Sequence, residues 1–118
     1  MNRYVVLYNA PLSVEERYVQ VSSEEAMKGM QLWIDWAKKI GPALVDPGRP
    51  LGNAVKVTKQ GLSPTQSEIV GMSILQAHSK DEVLEMVKDH HQLDWAEGSW
   101  ILVLEEMPIP ELSGAAPH

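Results

Sequence analysis

Two Ser-x-x-Glu boxes, Ser22 to Glu25 and Ser79 to Glu82, constrain the fold of this 118-residue chain more than any other feature. In such a box the serine hydroxyl accepts from the N–H three residues on, and the glutamate reaches back to the serine N–H, so each box marks a helix start. After the first, Ala26, Met30, Trp33, Ala37 and Ile40 recur at three- and four-residue steps with Met27 and Ile34 beside them, until Gly41-Pro42 ends the stripe. Trp36 lies off its centre. After the second, Val83, Leu84, Met86 and Val87 predict a shorter helix ending near His90-His91.

Strand patterns surround both helices. Residues 3–9 (RYVVLYN) read as a strand stopped by Ala10-Pro11, followed by a linker carrying Glu15-Glu16-Arg17. Ala43-Leu44-Val45 is a short strand, Asp46 to Pro50 a tight turn or small excursion, and Val55 and Val57 alternate with Lys56 and Thr58, so the strand resumes or a second ribbon follows. Residues 59–67 form a polar loop; Ile69 to Ala77 and Trp100 to Glu105 are strands, the last closed by Met107-Pro108-Ile109-Pro110. Strand, helix, strand with hairpin, strand, helix, strand is the split βαβ, ferredoxin-like order (βαββαβ): an α+β fold with two helices on one face of an antiparallel sheet. Residues 1–110 make one domain, with 111–118 a C-terminal tail.

Both faces of the strands are apolar, although a sheet with one solvated face should alternate with polar residues. Val5, Leu7, Leu75, Ile101 and Val103 suit the helix-covered face; Tyr4, Val6, Tyr8, Val70, Met72, Ile74, Trp100, Leu102 and Leu104 fall on the other. A second subunit packed sheet to sheet is the expected cover, giving a homodimer.

Charge and composition exclude several classes. The balance of 10 Lys+Arg against 16 Asp+Glu leaves a net −6, with the cations scattered, so no phosphate-binding stripe and no nucleic-acid partner is expected. The absence of cysteine rules out disulfides, cysteine metal sites and thiol nucleophiles. Runs such as Trp100 to Leu104 fall far short of the roughly 20 apolar residues of a membrane helix, and there is no signal-peptide pattern; the expected location is cytoplasmic, with no membrane contact.

Among chemically able groups, His90 and His91 come first, because imidazole exchanges protons near neutral pH. Both also suit capping of helix carbonyls. Adjacent rings on a helix diverge by about 100°, so they meet only if the helix has already ended. His78 lies about 12 residues, or roughly 18 Å of helix, from His90, and Asp89 to Asp94 (DHHQLD) lacks metal-ligand spacing, so no metal site is expected. Trp33 and Trp36 can stack a flat ligand or fill the core. Tyr8, Gln76, Trp100 and Glu106 should line the open sheet face, whether as pocket or dimer interface. Ser73 has no nucleophile elbow and Asp46 suits its own turn backbone, though a site role stays open for it.

Taken together, YVVLYNAP, LWIDWAKKIGPALVDPGRPLGNAVKVT, IVGMSILQAHSKDEVLEMVKDHHQL and LVLEEMPIP resemble the YCII-related (YciI-like, DGPF-type) domain family over residues 3–110. The D-x-G-x-P-L-G segment (Asp46, Gly48, Pro50, Leu51, Gly52) and the G-x-S-I-L strand (Gly71, Ser73, Ile74, Leu75) carry the resemblance. It implies a dimeric α+β barrel with a small-molecule pocket between sheet and helix. The His–Asp pair suggested for the family falls here at Met30 and His90, so it is not carried over. The expected function is that of a small-molecule-binding dimer with cofactor-independent acid–base activity of lyase or isomerase type, His90 carrying the proton and His91, Asp46 and Tyr8 assisting. Tyr8, Trp33, Trp36, Met72, Ser73, Gln76 and Trp100 are its expected binding residues. The alternative is a non-catalytic interaction or ligand-sensing module.

Overall fold

The structure is a computed structural model described over residues 1–109. The chain runs β1 (Asn2–Asn9), α1 (Val14–Gln20), α2 (Ser23–Ile40), β2 (Leu44–Pro50), β3 (Val55–Thr58), β4 (Gly61–Pro64), β5 (Ile69–Ala77), α3 (Lys80–Val87) and β6 (Trp100–Glu105). Four strands form one sheet in the order β2-β5-β1-β6, every neighbouring pair antiparallel. This is the expected α+β arrangement, with the most buried strands, β1 and β5, at the centre where both edges are paired. The 111–118 tail lies outside the described residues.

Ser22 accepts from the Glu25 N–H and Glu25 answers at the Ser22 N–H, starting α2 as its sequence predicts. A third box went unread: Ser13 and Glu16 cap each other at 3.0 and 3.1 Å and start α1, in what the sequence suggested was a linker. Two further expectations are corrected. Asp46 to Pro50 is not a tight turn but the body of β2, which crosses β5 with register shifts on both sides of Asp46. The polar loop contains β4, paired with β3 from Val55↔Pro64 to Thr58↔Gly61 as a separate hairpin.

The core reverses the expected phase of β1. Tyr4, Val6 and Tyr8 are buried together with Leu75, Ala77, Trp36, Val83 and Val87, while Val5 and Leu7 face the other way. Pairing explains this: Tyr4 and Val6 sit opposite Leu75 and Ser73, and Val6 and Tyr8 opposite Val103 and Ile101. With apolar residues on both faces of β1, alternation fixes no direction, and only its neighbours decide. Val70, expected on the open face, also joins the core, beside the register shift between Tyr8 and Asn9.

On α2 the buried residue is Trp36, which the sequence placed off the stripe; its indole N–H donates to the Met86 carbonyl at 3.0 Å, tying α2 to α3. The stripe's first half is uncovered, with Met30 62% exposed. The helices share one face of the sheet, and the molecule is only 19 Å thick along its short axis, the depth of a sheet and one helix layer. Trp100, Leu102 and Leu104, at 43%, 39% and 45% exposure, line the opposite face with Val5, Leu7, Met72 and Ile74. No helix among the described residues is long and apolar enough to cross a membrane.

Candidate ligand-binding cleft

The uncovered half of α2 borders a cleft of about 680 Å³, closed by α1, β2 and the segment after α3. Its rings come from Tyr8, Trp33, His91 and Trp95. Gly29 also opens onto it, although a Cβ there would meet nothing within 4 Å. Glycine inside a helix costs roughly 1 kcal/mol against alanine, and no packing neighbour here requires it; its effect is to keep the cleft wide. A second hollow of about 850 Å³ lies beside residues 65–70, where Glu16 and Glu68 are its titratable groups.

The histidines sit where α3 has already stopped. His90 is 2% exposed and packs against Tyr8, Trp33 and Trp36 at ring distances of 5.0, 5.1 and 4.4 Å. Its Nδ1 accepts from the Gln92 N–H at 2.9 Å, capping the start of a 3-10 turn (His91–Asp94) rather than the end of α3. An accepting Nδ1 leaves the proton on Nε2, and that buried nitrogen has no hydrogen-bond partner among the described residues. Burial, then the neighbouring His91 charge, push His90 down to about 3. It is therefore neutral and walled in by rings.

His91 stacks on His90 at 4.3 Å and 25°, meets Trp33 edge to face at 5.3 Å, and lines the cleft itself. Burial lowers its pKa, so at neutral pH it is an uncharged imidazole able to take a proton. Among the described residues no three His, Cys, Asp or Glu side chains gather as metal ligands.

Beneath the cleft the two motif segments interlock. The Tyr8 hydroxyl donates to Ser73 Oγ at 2.8 Å, and the Ser73 hydroxyl donates to the Pro47 carbonyl at 2.8 Å. Gly48, at φ +91°, lies so close that a Cβ would come within 1.5 Å of the Met72 carbonyl oxygen. Burial pushes the Tyr8 phenol up to about 12 against the pull of Ser73, so it remains a protonated donor.

The sequence candidates therefore divide between the two sides of the sheet. Tyr8, Trp33, Trp36, Ser73, His90 and His91 gather on the helix side; Tyr8 is corrected from the open face, because the register turns it inward. Met72, Gln76 and Trp100 lie on the open face, as expected, and Asp46 joins them by pairing with Ile74. Asp46 accepts from the Gly48 N–H at 2.8 Å and from Arg49 at 2.9 and 3.0 Å, contacts that hold its carboxyl below the usual range. Glu106 pairs with Arg3 at 3.6 Å. Arg17 and Trp95 border the cleft unannounced by the sequence reading; the Ser13 box was the signal that would have raised Arg17 onto a helix.

No protein-family model matches this chain, nor does any curated protein sequence. A solved structure similar to it is the 5-chloro-2-hydroxyhydroquinone dehydrochlorinase (TftG) from Burkholderia phenoliruptrix AC1100, in complex with 2,5-dihydroxybenzoquinone. It is 13% identical, with 93% of this chain and 95% of that one covered, at a TM-score of 0.49. So distant a likeness assigns no residue of this chain a role.

Proposed function

We propose that this protein binds a small organic molecule in the cleft between α2 and the sheet and moves a proton on it without a cofactor, in the manner of a lyase or isomerase. The observation that carries this reading is the pairing of a ring-walled cleft with one uncharged, half-buried imidazole, His91, at its lining. His91 is the proton carrier in this scheme, and His90, fixed through Nδ1 and stacked beneath it, is a positioning residue. Tyr8, whose hydroxyl proton is spent on Ser73, supplies a ring wall held in place by that bond. The motif residues Asp46, Gly48, Gly71 and Ser73 support membership of the YCII-related family, and the apolar face of Trp100, Leu102 and Leu104 supports a homodimer packed sheet to sheet.

A non-catalytic, ligand-sensing role is the second reading, favoured by one fact: among the described residues neither histidine has a carboxylate partner to raise its basicity. Native mass spectrometry of the purified protein, alone and with a library of small aromatic and aliphatic acids, tests the shared premise. The expected spectrum shows twice the subunit mass with one adduct per subunit; a monomer overturns the sheet-face dimer, and no adduct from any acid overturns the cleft as a binding site. His91→Gln separates the two readings: it abolishes turnover while binding persists in the first, and leaves any turnover unchanged in the second.

A further inference from the structure

We propose that Arg17 is the anion anchor of this cleft and that the ligand is a planar aromatic carboxylate, gripped at its edge by the guanidinium and at its faces by Trp33 and Trp95. This rests on the cleft being a binding site and adds what the site selects.

Arg17 is half-buried on α1 and lines the cleft. Its Nε donates to the Trp95 carbonyl, and its Cζ lies 5.9 Å from the centre of the Trp95 ring. The ion pairs among the described residues are Arg3–Glu106, Arg49–Asp46 and Lys88–Glu85, so Arg17 has no carboxylate there. Its two Nη groups also have no acceptor among those residues. A half-buried guanidinium with its fork unused costs free energy until an oxyanion fills it, and a carboxylate matches that fork with two parallel hydrogen bonds. Pinning through Nε fixes the fork in advance, so little ordering remains to be lost on binding.

The acids near the cleft do not compete for this role. Glu25 is held in the Ser22 box, and Asp94 is exposed at the rim. The charge withdrawn from water is thus a cation, and the complementary ligand an anion. Its shape follows from the walls, since flat rings and the space left by Gly29 suit a flat ring.

The test compares benzoate, benzamide and acetate by titration calorimetry, with the four tryptophan indole N–H signals followed by NMR. Benzoate is expected to bind at least tenfold more tightly than benzamide, acetate not measurably, with Trp33 and Trp95 shifting and Trp100 still. Arg17→Gln should cut benzoate affinity at least tenfold and leave benzamide within twofold, a split that mere loosening of α1 would not produce. Should that variant unfold, Arg17→Lys keeps the charge and the stem and loses the fork, with the same split expected. Equal binding of benzoate and benzamide overturns the anchor while leaving the cleft reading intact; no binding of either, with no indole shift, overturns both.

Discussion

At the scale of single residues, His90 shows how burial sets chemistry. The rings facing it are Tyr8, Trp33, Trp36 and His91, and of these His91, its own pKa lowered by burial, is the one that can take up a proton as the pH falls. Unfolded, His90 takes a proton near pH 6.5; folded, it refuses one until about 3. The unfolded chain therefore binds more protons in that window. Stability is whole above about pH 6.5 and falls as pH drops, by up to about 1.4 kcal/mol per pH unit from this one group. His91 acts in the same direction. Urea midpoints measured from pH 8 to 4 should show this decline, and His90→Phe should flatten it; an unchanged slope in that variant means another group drives the loss. None of this could be read from a bare His-His pair, because neighbouring rings from β1 and α2 create the effect.

At the scale of elements, glycine separates backbone necessity from room for a ligand. Gly48 bends β2 over β5 in a left-handed conformation, with the Met72 carbonyl where a side chain would begin. Gly48→Ala should therefore cost more than about 3 kcal/mol and part the Pro47–Ser73–Tyr8 hydrogen bonds. Gly29→Ala meets open space in mid-helix and should raise stability by about 0.5–1 kcal/mol while narrowing the cleft and weakening its ligand. Thermal melts of the two variants check this directly, and a destabilised Gly29→Ala contradicts the assignment of that position to the cleft. α2 and β6 were legible because each carries its own start or stop, Ser22 and Gly41 for the helix and Gly98 for the strand. The second half of β2 was not, since Pro47 and Gly48 are turn residues that here serve a bulged edge strand, while its start at Leu44-Val45 was read as a strand.

At the scale of the whole molecule, the thin two-layer shape leaves one sheet face to be covered. Leu102 lies on that face, on the edge strand β6 opposite Leu7. For the proposed sheet-to-sheet dimer, Leu102→Lys should give a monomer in sedimentation velocity while the helix-side core keeps its fold; a persisting dimer places the interface elsewhere.

The order of the main elements, β1, α2, β5, α3 and β6, was determined by the sequence itself, because capping serines, glycine stops and hydrophobic periods act over three or four residues and are written in consecutive letters. The α+β class followed from that order. The phase of β1, the inward turn of Tyr8, the division of Asp46 from the histidines by the sheet, and the meeting of Arg17 with Trp95 were decided by tertiary structure alone. Each depends on contacts between residues far apart in the chain, and a strand that is apolar on both faces carries no mark of which neighbour it will meet.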